Sequence, residues 1–105
     1  MAKEIVIFVT APSTRVAKTI GLKLVEERLA ACVNVVPRID SIYRWGGKVV
    51  RDRESLMVIK TVSGRFSKLK NRILRLHPYT VPEIIALPVG QGSAAYLKWI
   101  RDMTR

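Results

Sequence analysis

One cysteine, Cys32, and one histidine, His77, occur in the 105 residues. A lone cysteine excludes an internal disulfide, and with it the disulfide-stapled class of small secreted domains. Without Cys-x-x-Cys, His-x-x-x-His or a carboxylate cluster, a closed structural zinc site is not expected. No apolar run is long enough to span a bilayer, so no membrane partner is expected. The run Ile5–Val9 is also too short for a signal-peptide core, and no small-residue cleavage site follows it. A reducing cytoplasm is the expected location. A Gly-rich phosphate loop, a Gly-x-Ser-x-Gly elbow and a second histidine to pair with Cys32 are all missing, so no enzyme is expected. Acidic residues are scarce: eight Asp and Glu face nineteen Lys and Arg, a net +11. Asn34, Asn71 and Gln91 are the only side-chain amides. A well-solvated, thermostable surface is the favoured reading of both biases. Attraction to nucleic acid, anionic lipid or acidic proteins is the alternative, because charge alone names no partner.

What is present reads as one domain over residues 1–105. Its apolar content, 49%, suffices for a core without disulfides. Glu4–Thr10 is an apolar, β-branched run and predicts a buried strand. Ala11-Pro12-Ser13 stops it, with Ser13 placed to cap a helix that runs to about Arg28. Val16, Ala17, Ile20 and Leu24 fall on one face of that helix. Ala31–Arg44 and Lys48–Thr61, joined at Trp45-Gly46-Gly47, predict a long hairpin. Pro37 marks a bulge or an exposed edge in its first arm. Ser63 is placed to cap a second helix with Phe66, Leu69, Ile73 and Leu76 as its apolar stripe, ended by His77-Pro78. Ile84–Leu87 is a short strand. Gly90–Ser93 is a turn with a cap, and after it a last helix carries Tyr96, Trp99, Ile100 and Met103 on one side.

The order β-α-β-β-α-β plus a terminal helix predicts an α+β, ferredoxin-like sandwich. Two crossover helices cover only one face of its sheet. The strands nevertheless fail to alternate: Ile5–Val9, Leu56–Ile59 and Ile84–Leu87 are continuously apolar. A second apolar face in water is rare on monomers, so other copies of the chain in closed symmetry are expected to cover it.

Six local motifs occur in order. They are Val9-Thr10-Ala11-Pro12, Glu27–Asn34, Ser41-Ile42-Tyr43-x-Trp45-x-Gly47-Lys48, Lys60-Thr61, His77-Pro78-Tyr79-x-x-Pro82-Glu83-Ile84-Ile85 and Tyr96-Leu97-x-Trp99-Ile100. On these the chain resembles the CutA divalent-cation-tolerance family over essentially its whole length. The resemblance implies a homotrimer whose long hairpins reach neighbouring subunits, and a role in tolerance of copper or another divalent metal ion. It implies no obligatory cofactor, only a weakly bound metal. It also implies that Tyr43, Trp45, Lys60, Tyr79 and Glu83 gather near clefts between subunits. Such an aromatic set with a few charges suits a small ligand. Equally, Tyr43 and Trp45 could anchor the hairpin on the next chain.

The weak metal candidates are Cys32, His77 and Glu83. Cys32, among Ala30, Ala31 and Val33, is expected in the core. His77 is expected to be structural or pocket-lining, for example by capping helix carbonyls. Many relatives carry several acids after the hairpin glycine. Here basic residues interleave, so Asp52 and Glu54 are expected to pair with Arg51, Arg53 or a neighbour's arginine. Arg65, Lys68, Arg72 and Arg75 share a face of the second helix, read as solvated, and nucleic acid is not an expected partner. The leading reading is a non-enzymatic, trimeric divalent-cation-tolerance protein. One alternative is a trimeric signalling module like the PII proteins, binding a small anion through Lys60 and nearby arginines. Another is a basic nucleic-acid-associated protein.

Overall fold

The computed structural model describes residues 3–105; Met1 and Ala2, the first residues of the expected domain 1–105, lie outside them. Four strands, β1 (Glu4–Ala11), β2 (Cys32–Trp45), β3 (Lys48–Val62) and β4 (Ile84–Pro88), form one antiparallel sheet in the order β2-β3-β1-β4. The helices are α1 (Thr14–Glu26), α2 (Phe66–Leu76) and α3 (Ala94–Met103). This is the ferredoxin-like α+β arrangement, with the long hairpin and the extra helix. No helix among the described residues is long and apolar enough to cross a membrane.

Each element has a local cause. Ser13 caps α1, its Oγ accepting from the Val16 N–H at 3.2 Å. Ala17, Ile20 and Leu24 turn inward, and Gly21 lets the helix lie close on β2: a Cβ there would stand 3.0 Å from Val33 Cγ1. Arg28, at φ 60°, closes the helix in the left-handed region. Gly46 and Gly47 have φ of 59° and 76°, the conformation a two-residue hairpin turn demands. Two expected caps are not made. Ser63 lies inside a 3-10 turn, Ser63–Arg65, with its N–H bonded to the Lys3 carbonyl at 2.7 Å. The Ser93 side chain makes no capping bond to α3.

One sheet face is packed. Ile5, Ile7, Val9, Met57 and Ile59 meet Ala17, Ile20, Leu24, Leu69 and Ile73 in the main core. The other face is apolar and open. Val6, Phe8, Leu56 and Val58 stay half-buried there, and Ile85 and Leu87, paired with Phe8 and Val6, are exposed. α3 covers only one end of it, setting Ile100 and Leu97 on Ala31 and Val62. Of the α3 residues Tyr96, Trp99, Ile100 and Met103, only Ile100 is buried. Leu97, Ile100 and Thr104 face the sheet, while Tyr96, Trp99 and Met103 remain partly in water.

Candidate functional site

Beyond Ser55, the last partner of β1, the hairpin pairs only with itself. Its base is set by a bulge. Val36 faces Leu56 but Ile39 faces Glu54, so β2 carries one extra residue around Pro37. The Pro37 carbonyl accepts from Ser55 Oγ at 2.7 Å and Thr14 Oγ1 at 3.1 Å, which fixes the bulge to β3 and α1. The extra residue shifts the alternation. Ser41, Tyr43 and Trp45 now share a hairpin face with Asp52 and Glu54.

The loop between α2 and β4 closes over this face. His77 is 7% exposed. Its Nδ1 accepts from the Tyr79 N–H at 3.1 Å, so Nε2 carries the proton and donates to the Thr10 carbonyl at 2.7 Å. The ring thus anchors the loop to β1 rather than capping α2, and neither nitrogen is free for a metal. Tyr79 Oη donates to Glu54 Oε2 at 3.0 Å, and Tyr43 Oη donates to Asp52 Oδ2.

Hairpin and loop enclose a cleft of about 640 Å³. Asp52, Glu54 and Glu83 supply carboxylates, Tyr43 and Tyr79 phenols, and Trp45 an indole; among the described residues no Lys or Arg lines it. The electrostatics follow. Burial, then the charge of Glu54, raises the Glu83 carboxyl above its ordinary range. Burial and the bond to Glu54 push the Tyr79 phenol up to about 12. The bond to Asp52 raises Tyr43. The cleft favours positive charge.

Four of the five expected cleft residues, Tyr43, Trp45, Tyr79 and Glu83, line this one space. Lys60 does not. It pairs with Cys32 at the far end of the sheet, where its Nζ bonds Asn34 Oδ1 and lies 3.7 Å from Cys32 Sγ. Cys32 itself is half-buried on the open face rather than in the core, because it shares the parity of Lys60 and not that of Ile59. The three metal candidates form no common site: among the described residues no three His, Cys, Asp or Glu stand where they could hold an ion together. The expected pairing of Asp52 and Glu54 with Arg51 and Arg53 does not occur, since neighbours along a strand point to opposite faces. Asp52 and Glu54 were the missed cleft residues. Counting the register back from Gly46-Gly47 puts Asp52 opposite Ser41, two residues from Tyr43, which was the available signal.

The family model described as CutA1 divalent ion tolerance protein matches residues 5–103. The divalent-cation tolerance protein CutA of Thermus thermophilus is 57% identical over 96% of this chain and 98% of its own. Its solved structure superposes with a TM-score of 0.95, covering 97% of this chain and 99% of that one. The human protein CutA is 53% identical over 92% of this chain, which spans only 54% of the human sequence. The structure described as the periplasmic divalent cation tolerance protein CutA from Archaeoglobus fulgidus is 36% identical, with a TM-score of 0.94 over 97% of this chain and 99% of that one. The sequence motifs, the ferredoxin-like sheet and these matches agree, and the chain belongs to the CutA1 divalent ion tolerance family.

Proposed function

We propose that this protein is a non-enzymatic homotrimer that binds divalent cations weakly, copper among them, and serves divalent-cation tolerance in the cytoplasm. The observation that carries the reading is the cleft, with three carboxylates and, among the described residues, no basic side chain along its wall. Oxygen donors that do not converge on a point suit a weak, exchangeable contact better than a resident metal. The apolar open face supports assembly, and threefold closure is what the family resemblance implies. A small-anion site like that of a PII protein has less support, because Lys60 lies outside the cleft. The free thiol of Cys32 is compatible with a reducing compartment.

Calorimetric titration of the purified protein with copper(II) and then other divalent ions tests the reading. Weak saturable binding, lost in an Asp52→Asn/Glu83→Gln double variant, is the expected result. Stabilisation against heat by small anions and not by metals would favour the PII-like alternative.

A further inference from the structure

The helical layer carries a second charged feature, and it shares no residue with the cleft. Arg65, Lys68, Arg72 and Arg75 follow one another at steps of three and four residues. They form a row along α2 and the turn before it, on the order of 15 Å long at the rise of an α-helix. The face is solvated, as expected, and also forms one wall of a shallow groove of about 410 Å³, with Glu27 and Leu29 at the end of α1 opposite. The row is partly fixed. Arg72 forks onto Glu27, Nε to Oε1 at 2.9 Å and Nη2 to Oε2 at 2.8 Å. Arg65 Nε donates to the Thr104 carbonyl at 2.7 Å, which leaves its charge uncompensated. Lys68 and Arg75 have no carboxylate partner among the described residues. Glu27 therefore cancels Arg72, and three cations remain in line.

We propose that this groove binds the phosphodiester backbone of a nucleic acid without reading its sequence. A compact anion meets one or two members of such a row, whereas a chain of phosphates meets each in turn. Among the described residues no aromatic side chain lines the groove for a base to stack on, so the contact is electrostatic. A lipid surface fits less well. It calls for apolar side chains beside the basic ones, and the exposed Leu22, Val25 and Leu74 of these helices are not in the groove wall. The net +11 adds long-range attraction for the same polyanion.

The test is fluorescence anisotropy of a labelled oligothymidylate titrated with the full chain at increasing salt. Neutralising three phosphates of a single strand predicts an affinity that falls about 20-fold between about 50 and 200 mM salt. Lys68→Ala/Arg75→Ala should reduce the log–log salt slope from about −2 to shallower than about −1. Arg15→Ala/Lys18→Ala removes the same charge from exposed positions outside the groove and should leave the slope near the wild-type value. Thermal unfolding of both variants checks that the fold is kept. Equal weakening by the two variants would overturn the groove in favour of diffuse charge. No binding at low salt, or capture by phosphatidylserine vesicles without oligonucleotide binding, would overturn the proposal altogether.

Discussion

Tyr79 Oη donates to Glu54 Oε2 at 3.0 Å, across twenty-five residues of sequence, and so joins the α2–β4 loop to the base of the hairpin. Glu54 is only 8% exposed, and the phenol is its hydrogen-bond donor. Tyr79→Phe should cost about 1.5–3 kcal/mol, the range for a hydrogen bond to a charged group. Chemical denaturation of the assembled protein checks this. Glu54→Gln, which keeps an acceptor without the charge, should cost less.

Glu83 gives the cleft a pH dependence of definite sign. Its folded carboxyl titrates above the ordinary 4.5 because of burial and the nearby Glu54 charge. The folded state holds the proton more tightly than the unfolded chain. Its contribution to stability is therefore complete below 4.5 and is lost as pH rises through the raised value. Glu83→Gln should flatten stability against pH in that window. Copper affinity should rise over the same window, since a cation needs the ionised carboxylate. A stability profile identical in wild type and variant would contradict the assigned environment.

Alkaline titration should report Tyr79. Its phenol is pushed up to about 12, so the bond to Glu54 persists below the ordinary value of 10.0 and is lost as pH rises through about 12. Ultraviolet titration should find a tyrosine component ionising at about 12, and Tyr79→Phe should remove that component.

Much of this architecture is legible in the sequence because it rests on local chemistry. Gly46-Gly47 marks the hairpin turn, and Pro37 marks the bulge. The unbroken apolar runs of β1 and β3 foretell a sheet with a second apolar face. What escaped depends on register. The bulge in β2 brings Ser41, Tyr43 and Trp45 onto the face of Asp52 and Glu54, and a local reading of alternating acids and bases pairs those carboxylates with Arg51 and Arg53 instead. Lys60 sits on the expected strand, yet only the pairing with Cys32 shows which end of the sheet it occupies. The inward side of α3 was missed for a related reason. It is set by where the helix lands on Val62 and Ala31, which no helical spacing encodes.

Cys32 should report assembly. Its thiol is half-buried on the open face of one chain, near Lys60, and neighbouring copies covering that face would shield it. Labelling by thiol reagents should be slow in the assembled protein and fast after dissociation. Cys32→Ala should leave copper(II) binding nearly unchanged, because the sulfur is not part of the cleft. Loss of all copper binding in this variant would move the metal contact to the open face.

Trp45 stands at the hairpin tip with 60% of its surface exposed in the single chain. A neighbouring chain that receives the ring makes it an anchor, and Trp45→Ala should then weaken assembly by about 3–5 kcal/mol if the ring is fully buried. Lys60→Ala should leave copper binding intact, as its ammonium lies outside the cleft. A Trp45→Ala protein that assembles and melts like the wild type would reassign the indole to the cleft alone.

The account turns on other copies of the chain covering the apolar face formed by Val6, Phe8, Leu56, Val58, Ile85 and Leu87. Sedimentation of the purified protein at falling concentration tests this most directly. It should show one species at three times the chain mass, with no folded monomer before dissociation and unfolding occur together. A monodisperse, folded monomer would contradict it.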